Sequence, residues 1–448
     1  MIPKLRHGWQ EMRASFWFLP AMIVLGAVGL AAGLIAVDAT VELRVDKKWP
    51  LVFGAGATGS RGLLTAVASS MITVAGVVFS ITIVALSLTF SQYTSRVLRN
   101  FMRDRMNQVV LGVFVGIFAY CLVVLRTIRG GDEGAFVPSL AVLGGLVLAF
   151  VGIAFLIYFI HHISQSIQAS SIIAAATEET IAAIDNLFPQ RLGDDDDDAD
   201  GTPAAFAEQA WSAISARKSG YIESIDEETL LVVARKHGTV VRMERSIGEF
   251  VVEGAPLTSL AGPSEPDDEV AAELNAAFVI SRQRMVQQDA GFGIRQIVDI
   301  ALKALSPGVN DTTTAVMCVD YLGAILARLV LREIATPHRL DQGELRVMAR
   351  GPSFESLLAE AFDQIRQNAE GNVAVLTRQV QALEAIAGQT GNARRRQTLR
   401  RQAVLMAAVA ERTVASPHDG AGVKAALEHL AQVLNAPIGG LPASRSGA

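Results

Sequence analysis

The stretch TVAGVVFSITIVALSLTFSQYTSR, residues 73–96, decides the fold class, because it is long and apolar enough to cross a membrane and yet rich in hydroxyl groups. On a helical wheel, seven small or hydroxylated residues of this segment and the preceding turn fall within a sector of about 60°. Val84 interrupts the row, whereas Thr82 and Thr89 project to nearly the opposite side. We call this row the hydroxyl stripe; its members are Ser69, Thr73, Gly76, Ser80, Ser87, Ser91 and Thr94.

Two interpretations of the hydroxyl stripe stay open at this point. In the first, small residues let helices approach closely and hydroxyls bond across the contact. In the second, copies of the helix around a symmetry axis line a polar path, from which an ion is released easily. The stripe crosses the whole membrane, whereas packing needs only one or two turns. Arg96, Arg99 and Arg103 fall on a different sector, so the charge sign of a conducted ion stays open.

The composition agrees with a membrane protein. The chain has 448 residues, of which 51% are hydrophobic and 19% charged, whereas soluble domains carry about 25% charged residues. A net charge of −5 gives no general attraction for nucleic acid. Cys121 and Cys318 lie far apart and form neither a disulfide framework nor a metal motif. No nucleotide-binding, serine-hydrolase or metalloprotease signature is present, so we expect no enzyme, no metal and no cofactor.

Four apolar stretches are long enough to cross a bilayer, at about residues 16–37, 63–90, 109–125 and 137–160. The first has no cleavage pattern and is therefore predicted to be a retained span rather than a signal peptide. The basic cluster RVLRNFMRDR directly follows the second span, and basic residues are enriched on the cytoplasmic side. We therefore expect both termini, and everything after about residue 162, to be cytoplasmic.

The composition and hydrophobic pattern of the predicted cytoplasmic half change several times along the chain. GDDDDDADGTP is predicted to be a solvated linker, because calcium loops alternate their ligands. Short β-branched runs split by glycines follow, and then helical periodicity begins, including a predicted helix over EVAAELNAAFVISRQRM. The predicted divisions are a transmembrane domain (1–162), a helical extension with an acidic linker (163–200), a β-module (201–264), a helical domain (265–436) and a disordered tail (437–448).

The phrase IGEFVVEGAPL resembles the second half of a barrel-sandwich module of the biotinyl and lipoyl type. In those domains the carrier lysine sits at a hairpin tip. The matching tip here is DEETLL, which has no lysine, and Lys236 is displaced from it. The resemblance therefore implies the fold without the carrier chemistry.

A second resemblance covers most of the chain. It is carried by SMITVAGVVFSITIVALSL, by RVLRNFMRDRMNQVVLGVFVGIFAYCLVVLRTIR and by DAGFGIRQIVDIALKALSPGVNDTTTA. These segments are similar to a bacterial family of predicted integral membrane proteins known only as a domain of unknown function. The resemblance implies a bacterial inner-membrane protein, and it brings neither an activity nor catalytic residues.

A second candidate site lies around SPGVNDTTT, residues 306–314. In one interpretation this is a corner between two helices, in which Asn310 or Asp311 caps the second helix. In the other, a charged pair one turn apart on the preceding helix faces a polar pocket that binds a small ligand or ion, or forms a subunit contact. The residues of this second interpretation are Arg295, Asp299, Asn310, Asp311 and Thr312.

Adjacent His161 and His162, in FIHHISQS, cannot share a helix face, so we predict interface or pH-sensing roles rather than metal binding. The expected fold is an α-helical membrane protein with four transmembrane helices, a small barrel-sandwich-like β-module and an α-helical cytoplasmic domain. The expected function is an oligomeric channel for small ions, regulated by that domain. Its expected partners are membrane lipid, small ions and further copies of the chain, without nucleic acid. The alternative is a non-conducting membrane scaffold or sensor whose cytoplasmic domain binds a ligand or partner.

Overall fold

The computed structural model describes residues 17–40, 56–92, 105–130, 136–188, 209–262, 267–334 and 337–435, with the backbone alone for 88–92. The described chain is mostly helical, with a small region of β-sheet. It divides into two compact units, Met1–Ser171 and Ile172–Ala448. Outside the described residues lie the predicted acidic linker, the predicted tail (437–448) and three arginines of the cluster after the second span, Arg96, Arg99 and Arg103. The fourth arginine of that cluster, Arg105, is described.

The first unit is built from four apolar helices. The second helix has 37 residues and is therefore about 55 Å long, which exceeds the hydrocarbon thickness of a bilayer. The third helix is the most buried, and the other three pack against it. The bounds are α1 (Phe18–Thr40), α2 (Gly56–Gln92), α3 (Arg105–Thr127) and α4 (Ser139–Ser166).

Glycines set the distances between these four helices. A Cβ atom added at Gly112 of α3 would lie 2.9 Å from the Pro20 Cα atom of α1. Added at Gly145 of α4, it would lie 2.6 Å from Cδ2 of Leu64 of α2. Close approach through small residues is how membrane helices gain packing energy without a hydrophobic driving force between them.

The second unit begins with α5 and contains two sheets. The larger sheet has the order β1-β5-β3-β8-β7, with antiparallel neighbours except for the parallel pair β3 and β8. The smaller sheet has the order β4-β2-β6 and is antiparallel. The strands are β1 (Trp211–Ser215), β2 (Gly220–Ile225), β3 (Val241–Met243), β4 (Phe250–Val251), β5 (Pro256–Ala261), β6 (Phe278–Ser281), β7 (His338–Asp341) and β8 (Glu344–Met348).

The DEETLL segment is a helix, α6 (Glu227–Lys236), and the prediction of a hairpin tip there is wrong. The Asp226 side chain accepts a hydrogen bond from the Thr229 backbone N–H at 3.1 Å, as an N-cap does. The first turn of this helix carries glutamates and its last turn carries basic residues, and both are stabilised by the helix dipole. The predicted barrel-sandwich module therefore lacks its expected hairpin tip.

Strands also interrupt the region that we predicted to be wholly helical. The helix expected over EVAAELNAAFVISRQRM ends at Ala276 and is followed by β6, so its second half was predicted wrongly. The hairpin β7–β8 turns at Gln342 and Gly343, whose φ angles of 52° and 84° fit a two-residue hairpin turn. Because β8 pairs with β3, about a hundred residues earlier, local periodicity cannot predict it.

Four further predicted helices are present, at GIRQIVDIALKAL, TTAVMCVDYLGAILARLVLREI, SFESLLAEAFDQIRQ and AVLTRQVQALEAIAG. The second of these ends at Leu329, so its last five residues, VLREI, were predicted wrongly. They pack as a bundle around α9 and α11. Their bounds are α5 (Ala169–Leu187), α7 (Asp268–Ala276), α8 (Ala290–Leu305), α9 (Thr312–Leu329), α10 (Phe354–Asn368), α11 (Val373–Ala387), α12 (Ala393–Thr413) and α13 (Pro417–Asn435).

Candidate functional site

The hydroxyl stripe lies on the side of α2 that faces away from the other helices of the first unit. The buried face of α2 packs on α3 and α4, where Leu64 and Met71 contact Gly145 and Gly152 of α4. The described members of the stripe are all exposed and lie roughly opposite that buried face on the helical wheel. Packing within one subunit therefore does not explain the stripe. The buried residues are Leu64, Ala68, Met71, Ala75, Val78 and Ala85.

The stripe hydroxyls have few partners. Thr73 Oγ1 donates to the Ser69 carbonyl at 2.8 Å. Thr82, on the other side, donates to the Val78 carbonyl of its own helix at 2.8 Å. Within the described part of the chain, the hydroxyls of Ser80 and Ser87 form no hydrogen bond. The side chains of Ser91 and Thr89, and all of Thr94, lie outside the described residues.

Polar contacts at one end of the four-helix unit fix the orientation of α2. Asp38 of α1 accepts hydrogen bonds from the backbone N–H groups of Leu140 and Ala141, at 3.2 and 3.1 Å, and so caps α4. Arg61 of α2 donates to the carbonyl of Ile128, directly after α3, at 2.7 Å. Sequence reasoning did not assign Asp38; a lone carboxylate at the end of an apolar helix is the signal that marks it.

Arg295 and Asp299 lie together on α8, as their spacing predicted. Arg295 Nε is 2.8 Å from Asp299 Oδ1, and Arg295 Nη1 is 3.4 Å from Glu360 Oε1 on α10. The pair therefore links two helices of the bundle. A ligand-binding role for it stays a prediction.

The other three residues of the second candidate site form a separate group. Asp311 caps α9 by accepting hydrogen bonds from Thr314, and these hold the pKa of its carboxyl below the usual range. Thr312 Oγ1 accepts a hydrogen bond from Asn372 of α11 at 3.0 Å. About ten helical residues, or roughly 15 Å, separate Arg295 from the end of α8. No hydrogen bond or ion pair in the described ranges joins the two groups, and Asn310 is the exposed turn residue between the helices.

An aspartate ties α5 to the bundle. The Asp185 carboxylate binds Arg328 of α9 at 2.8 and 3.0 Å and also contacts the guanidinium of Arg332. The hydrogen bond from Arg328 is the main cause that holds the pKa of Asp185 below its usual range. On the same helix, the Thr180 hydroxyl occupies the space that a side chain at Gly293 of α8 would need.

The arginine-rich segment ARRRQTLRR caps the ends of helices. Arg395 is 3% exposed and donates from Nη1 to the carbonyls of Val330 and Arg332, at 2.8 and 3.0 Å, where α9 ends. Arg396 and Arg400 both donate to the Leu434 carbonyl at the end of α13, at 3.1 and 2.9 Å. Cations at helix C-termini are stabilising, so this charge serves the fold. Sequence reasoning missed these roles, and the density of arginine was the available signal.

The adjacent histidines His161 and His162 near the end of α4 lie on different faces of the helix, as predicted. His161 is exposed, and the ring of His162 stacks on Tyr158 at a centroid distance of 6.0 Å. Across the described ranges, no group of three or more His, Cys, Asp or Glu side chains is placed to hold a metal ion.

Acid is expected to destabilise the second unit through three aspartates. Hydrogen bonds from Arg328, Thr229 and Thr314 hold the pKa values of Asp185, Asp226 and Asp311 below their usual range. Carboxyls whose folded pKa is lowered stabilise the fold above the unfolded value of about 3.9, and this contribution is lost as the pH falls through the folded pKa. The melting temperature of the full-length protein in detergent should therefore be flat from about pH 7 to 5 and fall below about pH 4. In the Asp311→Asn variant, the melting temperature should fall less steeply below about pH 4. An equally steep fall in that variant would contradict this assignment.

Long apolar helices, close glycine contacts and few charges define the chain as a multi-pass membrane protein by length and composition. Among the described residues, five helices are long and apolar enough to cross a membrane, namely α1 to α4 and α9. The chain belongs to the family described as "Predicted membrane protein (DUF2254)", which it matches over residues 13–385. This confirms the resemblance drawn from the sequence.

The relatives are mycobacterial. The chain is 34% identical over 432 residues to an uncharacterized protein of Mycobacterium tuberculosis strain H37Rv, a match that covers 95% of this chain and 82% of the relative. An uncharacterized protein of Mycobacterium bovis matches with the same identity and coverage. No solved structure matches the chain.

Proposed function

We propose that the chain assembles into a homo-oligomer in the bacterial inner membrane and passes small ions along the hydroxyl stripe of α2, under regulation by the second unit. The observation that carries this proposal is the direction of the stripe, which points away from the other helices of the first unit. In hydrocarbon, polar groups need partners. On this face, beyond the backbone of α2 itself, only another subunit or enclosed water supplies them.

Four crossings, α1 to α4, with both termini cytoplasmic, complete the proposed topology. The fifth apolar helix, α9, carries charges on its surface: Asp320 lies 2.7 Å from Arg378, and Arg328 lies 2.8 Å from Asp185. Lipid contact at these positions would be costly, whereas the bundle supplies partners of opposite charge. We therefore assign α9 to the interior of a water-soluble domain.

A glycine face on α1 supports assembly. Gly26, Gly29 and Gly33 lie on one side of the helix. Among the described residues, no atom outside the backbone of this helix lies within 4 Å of the position that a Cβ would take at any of them. Small residues spaced three and four apart are typical of close contacts between membrane helices. A second copy of the chain is the proposed occupant of this face.

The second candidate function is a non-conducting scaffold or sensor, in which the stripe serves only to join subunits. It is favoured by Gly76, which leaves open space on the stripe for a neighbouring helix, and by the lack of charged side chains on the described stripe. The two functions differ in whether the stripe meets water.

Ion passage is tested by reconstituting the purified full-length protein in planar bilayers. Ser80→Leu should lower the conductance by about ten-fold, equivalent to a barrier increase of about 1.4 kcal/mol, because it places an apolar constriction on the path. The matched control is Thr82→Leu, which puts the same side chain into the same helix on the other side. Ion passage would be refuted if the protein showed no conductance at any voltage, pH or membrane tension. If Ser80→Leu weakens only the oligomer, the scaffold function is favoured.

A further inference from the structure

The smaller sheet of the second unit exposes an apolar face. Phe250 is 52% exposed, Val252 57% and Val279 46%, although each belongs to a strand or directly follows one. The Tyr221 ring packs edge-on against Phe250 with a centroid distance of 5.1 Å. The opposite face of the same strands is buried in the core. Four apolar side chains thus lie on one surface of a short sheet without being used for its own core.

The strand register brings three cations to one end of this face. Tyr221 of β2 pairs with Phe250 on one side and with Ser281 on the other, so Val252 and Arg282 emerge at the same end of the sheet. The loop before β2 carries Arg217 and Lys218 to that end as well.

Two hydrogen bonds hold that loop beside the segment after β4. The Gly254 N–H donates to the Ala216 carbonyl at 2.9 Å, and the Glu253 N–H donates to Ser219 Oγ at 2.8 Å. Within the described residues, the side chains of Arg217, Lys218 and Arg282 form no ion pair, and Glu253 is the exposed carboxylate nearby. We call this surface the basic-rimmed face; it comprises Tyr221, Phe250, Val252, Val279, Arg217, Lys218 and Arg282.

We propose that the basic-rimmed face docks on the surface of a bilayer that contains anionic lipids. Apolar side chains reach into the boundary between headgroups and acyl chains, and flanking lysines and arginines contact the phosphates. A protein partner would have to desolvate three cations that have no acidic partner among the described residues, which is costly. The chain belongs to a membrane-protein family, so tethering keeps the bilayer at a high effective concentration. This docking does not depend on ion conduction.

The test places one fluorophore on the face. Cys121 and Cys318 are both fully buried, so a cysteine introduced at the exposed position of Val252 is labelled selectively in the folded protein. The Val252→Cys protein, full-length and carrying an environment-sensitive NBD label, is reconstituted in nanodiscs of phosphatidylcholine alone or of phosphatidylcholine with phosphatidylglycerol. The matched control is Val404→Cys on α12, which is 67% exposed and remote in sequence from the face.

The fluorescence emission of the label at position 252 should shift to shorter wavelength and be quenched by doxyl-labelled lipids in the phosphatidylglycerol discs. The emission of the label at position 404 should instead be quenched by aqueous iodide. Replacing Arg217 and Lys218 by glutamine should lower the docked-to-undocked ratio by about 30-fold, at about 1 kcal/mol for each basic side chain. The backbone hydrogen bonds of the loop do not involve these side chains, so the fold should be retained.

Two results would overturn the proposal. Equal iodide quenching at positions 252 and 404 in both disc types would mean that the face is open to solvent. Disulfide cross-links between unlabelled Val252→Cys subunits, without doxyl quenching of the labelled protein, would mean that a second copy covers it.

Discussion

The Asp38→Ala variant should unfold its four-helix unit at a clearly lower temperature than the unchanged protein. Asp38 alone caps α4 with two hydrogen bonds to backbone N–H groups, and it joins α1 to α4 by them. Hydrogen bonds to a charged group contribute about 1.5–3 kcal/mol each, so we expect a loss of about 3 kcal/mol. Asp38→Asn keeps one acceptor oxygen and should lose less.

The two buried cysteines make this measurement specific to each unit. Cys121 lies in the core of the first unit and Cys318 in that of the second, so a thiol-reactive dye reports unfolding of one unit when the other cysteine is replaced by alanine. Asp38→Ala should lower the temperature at which the dye labels Cys121 and leave the labelling of Cys318 unchanged. Thr40→Ala, on the same helix, is the control, because within the described residues Thr40 bonds only to the backbone of its own helix. Equal effects of both substitutions would mean that the cap contributes nothing.

Replacing Arg395 by methionine should destabilise the second unit by about 3 kcal/mol. Methionine keeps much of the side-chain length but leaves the carbonyls of Val330 and Arg332 without their donor in a buried setting. The Cys318 signal should appear at a lower temperature, with the Cys121 signal unchanged. The control is Arg412→Met on the same helix, because Arg412 is exposed and pairs with Glu370 at the surface. Exposed pairs contribute about 0–1 kcal/mol. A similar loss in both variants would refute the capping role of Arg395.

The long helices of this chain were largely predictable, because their periodicity extends over fifteen or more residues. The apolar segments and the helices α8 to α11 follow directly from that pattern. The strands of the second unit were not predictable in the same way. A four-residue strand such as β6 is too short to establish a period, and β8 is a strand because of a partner distant in sequence.

The stripe could be placed on one side of α2 from the sequence, but what that side faces could not. Gly145 and Gly152 of α4 contact Leu64 and Met71 of α2. These contacts determine which side of α2 packs on the other helices, and therefore where the stripe points. The two groups of the second candidate site lie apart for a related reason. Helical spacing paired Arg295 with Asp299, whereas the length of α8 carries residues 310–312 to another place.

The two faces of α2 have an evolutionary consequence. Leu64 and Met71 are constrained by the neighbouring glycines, whereas Ser80 and Ser87 on the outer side contact no partner within the described subunit. Substitutions on the outer side can therefore accumulate without changing how a single chain folds. A lineage can in this way alter what the helix meets in the membrane, one residue at a time, while the scaffold behind it is preserved.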